Sequence, residues 1–222
     1  MTVSYRLVVL AALFVTCIIT ANIMIVKQIA VAGVMLPAAI IIFPLSYIIS
    51  DILTEVYGYR QARRIIWLGF ACNLIAVIAF WIGKILPPAE FFQGQEAYES
   101  ILGSTPRFLL ASFAGYIAGE FANSFILAKM KVATNGRWLW TRTIGSTLVG
   151  EGIDTVFALT IALGGMLPWP ALGGMIIAHW LIKTAYEIII TPLTYYVVNY
   201  LKRKEGIDVY DIKTNFNPLH IN

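Results

Sequence analysis

Charge is what this chain has least of. Only 13% of its 222 residues are Asp, Glu, Lys or Arg, where a water-soluble domain carries roughly 25%. Hydrophobic residues make up 59%, and the mean hydropathy is +0.78. That composition excludes a soluble domain and makes lipid the solvent for most of the surface. Cysteine is scarce as well. Cys17 and Cys72 both fall in apolar runs and read as small buried hydrophobes, which excludes a disulfide framework or thiolate metal site. No His-Glu-x-x-His, Gly-x-Ser-x-Gly or glycine-rich phosphate loop occurs. Neither an enzyme nor a cofactor is therefore expected, and any ATP-driven step would need a separate protein. GEGID at Gly150–Asp154 is one residue out of register from the Gly-x-Gly-Asp of intramembrane aspartyl proteases, a near miss that chance explains. No basic run with interleaved aromatics is present, so nucleic acid is not a partner.

What the chain does have is six apolar runs of spanning length. They cover Leu7–Val26, Leu36–Tyr57, Ile65–Leu86, Pro106–Met130, Ile144–Leu167 and Gly173–Leu201. The first lacks a small-residue cleavage site and reads as a span, not as a signal peptide. The runs are continuous, not alternating, so an all-α six-helix transmembrane bundle is expected and strands are not. Basic residues set the orientation. Arg6, then Arg60, Arg63 and Arg64, then Lys129, Lys131, Arg137 and Arg142, then Lys202, Arg203 and Lys204 all flank one side. The positive-inside rule puts that side, with both termini, in the cytoplasm of a bacterial inner membrane. Pro87–Thr105 reads as a periplasmic loop. Residues 1–204 form one transmembrane domain on this reading, and 205–222 a polar cytoplasmic tail of the kind that frays.

An ionisable side chain at the bilayer centre costs on the order of 2.5–3.5 kcal/mol. This chain nevertheless places Asp51, Glu55, Glu120, Glu151, Asp154, His179, Lys183 and Glu187 in its spans, with the amides Asn22, Asn73 and Asn123. The spacings are helical: Asp51 and Glu55 share a face, as do Glu151 and Asp154, Glu120 and Asn123, and the series His179, Lys183, Glu187, Thr191. These faces must converge on a polar interior. Six carboxylates against one lysine then leave an excess of negative charge. Three releases are open: some carboxylates hold protons, since burial and like neighbours disfavour the charged form. Some meet cytoplasmic arginines, with Glu55 the best candidate. Or the interior is a wet cavity that awaits a cationic or N–H-rich solute. Gly115 and Gly119 mark close helix packing, and Pro37, Pro44 and Pro192 interrupt the second and sixth spans.

The stretch FPLSYIISDILTEVYGYRQARRII in the second span resembles the signature of the bacterial queuosine precursor transporter family, also called the vitamin uptake transporter family. The similarity continues through TAN around Asn22, STLVGEGIDTVFALTIA, HWLIKTAYEIIITP and TNFNP, in order along most of the chain. The resemblance implies a six-helix inner-membrane carrier for the cyano and aminomethyl 7-deazaguanine precursors of queuosine, salvaged for tRNA modification. It places family polar positions on Asn22, Asp51, Glu55, Arg63, Arg64, Asp154 and Lys183. Glu120, Asn123, Glu151, His179 and Glu187 join the substrate-binding candidates on their chemistry. A carboxylate accepts from the N–H and NH₂ of a guanine-like edge in a bidentate pair, Lys183 or an amide donates to the adjacent carbonyl, and Tyr116, Trp180, Tyr186 or Tyr195 is available to stack. Three alternatives stay open: the substrate-binding subunit of an energy-coupling-factor importer, an intramembrane enzyme, and a structural membrane protein. Passive and proton-coupled transport are both compatible with the sequence, as is a homodimer.

Overall fold

The computed structural model describes residues 4–31, 34–103 and 106–220. Thr105 at the edge of the expected loop and the last two tail residues lie outside them. Among the described residues, six long helices and one short one carry most of the chain. They are α1 (Tyr5–Met24), α2 (Phe43–Tyr57), α3 (Tyr59–Ile85), the short α4 (Gln95–Leu102), α5 (Pro106–Ala133), α6 (Leu139–Leu163) and α7 (Trp169–Glu205). In lipid every backbone polar group must find its partner inside the chain, and a helix does this within a single segment.

Among the described residues, five stretches are long and apolar enough to cross a membrane: α1, Ala38–Tyr57, α3, α6 and α7. The long helix outside that set is α5, whose middle carries Gly115, Gly119, Glu120, Asn123 and Ser124. It still runs the length of the bundle. Arg107 at its start donates to the carbonyls of Ile161 and Gly164 at the end of α6, and Lys131 near its finish reaches the C-terminal tail. The outside of the bundle is aliphatic and aromatic, with Leu13, Ile75, Leu110, Val156, Ile189 and Leu193 among the exposed side chains, as a lipid-facing surface requires.

α2 is the axis of the bundle. It packs on α1, α3, α5 and α7, and from Ser50 to Tyr57 every residue is buried. The expectation of a strand-free bundle is corrected at one end. Gln28–Val31 (β1) and Val34–Pro37 (β2) form an antiparallel hairpin, with Gln28 opposite Pro37. The second apolar run therefore begins as a strand, turns through a 3₁₀ helix at Ala38–Ile41, and becomes α-helical only at Phe43. Proline chemistry accounts for the break. Pro37, its φ fixed at −67°, is the N-cap of the 3₁₀ helix, and the Ala38 N–H beyond it still donates to the Lys27 carbonyl at 2.7 Å, whereas Pro44 sits in the first turn of α2, where no N–H is needed. Pro192, by contrast, lies inside α7.

The extended tail is held, not frayed. Gly58 joins α2 to α3 at φ +83°, a left-handed conformation natural to glycine, and a β-carbon there would stand 2.6 Å from Val209 Cγ1. The Val209 N–H donates to the Val56 carbonyl. Asp211 Oδ2 accepts from the Tyr59 N–H at 2.9 Å and so caps α3, whose own N-cap residue is that glycine. Arg63, expected to face cytoplasm, is buried and donates to the carbonyls of Asn215 and Asn217, both at 2.8 Å.

Candidate functional site

A cavity of about 650 Å³ occupies the half of the bundle next to the hairpin and α4. Its size suits a bicyclic small molecule. Its walls are mainly apolar, with Phe43, Val77, Phe80, Phe108 and Leu159 among them. Two polar groups break this lining. On one wall Asn22 Nδ2 donates to Asn73 Oδ1 at 2.7 Å, and Ser112 Oγ donates to Asn22 Oδ1 at 3.0 Å. On the other, Lys183 Nζ from α7 lies 2.6 Å from Asp154 Oδ2 of α6 and 4.5 Å above the centre of the Phe43 ring. Lys183 also reaches Glu151 Oε2 at 2.7 Å, one helical turn deeper on α6. His179 lines the cavity one turn before Lys183.

Glycines allow this floor to form. Where α5 and α6 cross, a β-carbon at Gly119 would stand 2.7 Å from Asp154 Cβ, and one at Gly150 would stand 2.6 Å from Asn123 Cβ. Only hydrogen side chains permit that approach, so the spacing of Gly115 and Gly119 is a packing device, as the sequence suggests.

Beneath the floor lies a buried acidic layer. Asp51 Oδ1 accepts from Asn123 Nδ2 at 2.6 Å. Asp51, Glu120, Asn123, Glu151 and Glu187 are all at most 1% exposed, and none of them lines the cavity. Below this layer, Glu55 ends the series inside an ion cluster. Arg142 grips it with two bonds, Nε to Oε2 at 2.8 Å and Nη2 to Oε1 at 2.9 Å. Lys202 approaches Oε1 at 2.5 Å and Lys131 at 3.6 Å, and both lysines also hold Asp208 of the tail.

Comparison with known proteins agrees with this architecture. Residues 37–197 match the family described as "Putative vitamin uptake transporter". The chain belongs to that family. A Bacillus subtilis (strain 168) protein named "Probable queuosine precursor transporter" is 28% identical over 178 residues, 80% of this chain and 78% of the relative. An Escherichia coli (strain K12) "Queuosine precursor transporter" is 26% identical over 139 residues, 63% of this chain and 58% of that protein. A Haemophilus influenzae relative, also named "Probable queuosine precursor transporter", is 26% identical over 120 residues, and the match spans about half of its length. No solved structure matches. With its apolar helices, this vitamin uptake transporter family member is a multi-pass bacterial membrane protein.

In this family member the ten candidate residues separate into three levels. Asn22, Asp154, His179 and Lys183 reach the cavity; Asp51, Glu120, Asn123, Glu151 and Glu187 lie behind it; Glu55 joins Arg142 in the ion cluster. None of the four aromatics named for stacking, Tyr116, Trp180, Tyr186 and Tyr195, lines the cavity. Tyr116 Oη donates to the Ile66 carbonyl, Trp180 Nε1 to the Leu148 carbonyl and Tyr186 Oη to the Ile41 carbonyl, and Tyr195 Oη accepts from the Trp140 N–H. Phe43, Phe80 and Phe108 line the cavity instead. Asn73 and Ser112 belong to the cavity as well; an amide inside a spanning helix and a serine on the Glu120 stripe are the signals that mark them.

Proposed function

We propose that this protein imports 7-deazaguanine precursors of queuosine, crossing the membrane six times with residues 205–222 and both termini in the cytoplasm. The supporting observation is a cavity of solute size whose floor is an Asp154–Lys183 pair and whose wall is the Asn22–Asn73–Ser112 chain. The relatives' names supply the solute class. A deazaguanine edge offers an N–H beside an NH₂, and Asp154 accepts both. Lys183 donates to the neighbouring carbonyl oxygen, and the Asn22–Ser112 wall supplies neutral donors and acceptors for the rest of the ring. Phe43 covers the ring face beside Lys183.

Hydrogen bonds to charged groups are worth about 1.5–3 kcal/mol each. Asp154→Asn and Lys183→Ala are therefore each expected to weaken solute binding at least about tenfold. The test is uptake of radiolabelled aminomethyl-deazaguanine by liposomes that contain only this protein. Uptake that both substitutions abolish supports the proposal. Binding without uptake makes the chain the solute-binding subunit of an importer driven by partner ATPases. Absence of both binding and uptake overturns the solute.

A further inference from the structure

The acidic layer behind the cavity has too few hydrogens. Both carboxylate oxygens of Glu187, Asp51 Oδ2 and Asn123 Oδ1 are buried acceptors with no hydrogen-bond donor, and the two buried oxygens of Glu120 have only the Ser50 hydroxyl near enough to serve them. Their residues are at most 1% exposed. Among the described residues, no His, Cys, Asp and Glu side chains group as a metal site would need. An independent observation points the same way. The Tyr47 hydroxyl on α2, a neutral group that is 0% exposed and has no partner, sits in the field of Glu120, Glu151 and Asp154. That one hydroxyl can serve a single acceptor near Glu120 and leaves Asp51 and Glu187 without a donor, and a bound proton resolves the excess that remains. Each proton placed on a carboxyl removes a charge and creates an O–H donor for a neighbouring oxygen.

The surrounding groups allow this. Glu120 faces Glu151 and Asp154 from α6, Ser50 from α2 and Tyr116 from its own helix. Asp51 faces Glu187 from α7, Glu120 and Asn123 from α5, and Glu55 from its own helix. Glu187 faces Glu151. The nearby cations are committed: Lys183 to Asp154 and Glu151, and Arg142, Lys131 and Lys202 to Glu55. Uncompensated buried carboxylates cost several kcal/mol each, so charge is relieved most directly by protons.

We infer that Asp51, Glu120 and Glu187 form a proton site beneath the solute cavity, so that a proton crosses with each solute. This rests on the transport reading above. No bond other than O–H forms or breaks: the proton taken up on one side is released on the other.

Two measurements test it. The first needs no solute. Infrared spectra of the reconstituted protein at neutral pH are expected to show the C=O stretch of protonated carboxylic acid, diminished in Glu120→Gln and again in Glu187→Gln. Two variants are used so that misfolding of one does not remove the test. Absence of the band in the wild type overturns the site. The second is aminomethyl-deazaguanine accumulation in proteoliposomes with the outside one pH unit more acid. One proton per solute corresponds to about tenfold greater accumulation than at equal pH, and that ratio is expected to fall to about one in the variants. Uptake indifferent to the gradient overturns the coupling. A wild type that shows the band but moves no deazaguanine in either condition overturns the solute assignment and leaves the site standing.

Discussion

The two ends of the bundle hold their polar groups in opposite ways. At the cavity end the contacts are few and mostly neutral, an Asn–Asn–Ser chain and one lysine between two acids, set in apolar walls that leave about 650 Å³ unfilled. At the tail end three cations converge on one fully buried carboxylate, and the tail closes over them through Asp208, Val209 and Asp211. One end holds a cavity, the other is closed by ion pairs and the tail. In a carrier that alternates, the shut end has to be strong enough to seal and built of contacts that can be replaced one by one. Charge-assisted hydrogen bonds between separate helices meet both needs.

The sharpest break of that comparison is Arg142→Met. It removes the bidentate grip on Glu55 and the bonds from Arg142 to the carbonyls of Arg137 and Gly136. Losing one partner of a buried ion pair costs about 3–5 kcal/mol. Lys202 and Lys131 remain beside Glu55, which places the expected loss toward the lower end of that range. Ser112→Ala at the cavity wall removes one neutral hydrogen bond and is expected to cost about 1 kcal/mol. Denaturant unfolding in detergent compares the two directly, and equal losses would erase the contrast between the ends. Asp211→Ala comes between them. It uncaps α3, at an expected cost of about 0.5–2 kcal/mol, and frees the tail. Limited proteolysis should then cut residues 206–220 faster than in the wild type, while solute binding at the far end is unaffected.

Much of this contrast was legible in the sequence, because helix period alone aligns side chains. The four-residue step from Asp51 to Glu55 and the three-residue step from Glu151 to Asp154 both appear as shared faces in the bundle, and Glu55 meets Arg142, one of the four arginines (Arg60, Arg63, Arg64 and Arg142) that its position left open. Depth was not legible. Period assigns a residue to a face but not to a level, and levels separate Asp154 from Glu151 and Asp51. The hairpin at Gln28–Pro37 was hidden because the run from Ile29 to Ile42 is apolar throughout, and hydropathy does not distinguish a strand from a helix. Lys131 and Lys202 looked like loop charges that set orientation. They stand in the last turns of α5 and α7 and donate to Asp208, with Lys131 buried and Lys202 half-buried, because the tail folds back over them. Its polarity suggested fraying; the signal to the contrary was Asp211 and the TNFNP stretch, whose carbonyls at Asn215, Asn217 and Pro218 receive Arg63 and Trp67.

The smallest effect concerns the seal's response to pH. Asp208 stands outside the membrane-spanning helices. Burial pushes its carboxyl upward, but hydrogen bonds from Lys131 and Lys202 outweigh this and hold it below the usual aspartate value. A carboxyl lowered by folding contributes stability above its unfolded value, about 3.9, and that contribution fades as pH falls through the lower folded value. The tail should thus be fully held at neutral pH and loosen below about pH 4. The side chain is 40% exposed, so screening keeps the effect modest. Trp67, whose indole donates to the Pro218 carbonyl at 2.8 Å, reports on it through fluorescence. In the wild type an acid step is expected. In Asp208→Asn the tail should be looser already at neutral pH, and the step should shrink, so that the two proteins converge in acid. A step of equal size in both would show that the acid response does not come from Asp208, and the pairing of Asp208 with Lys131 and Lys202 would then not be what holds the tail.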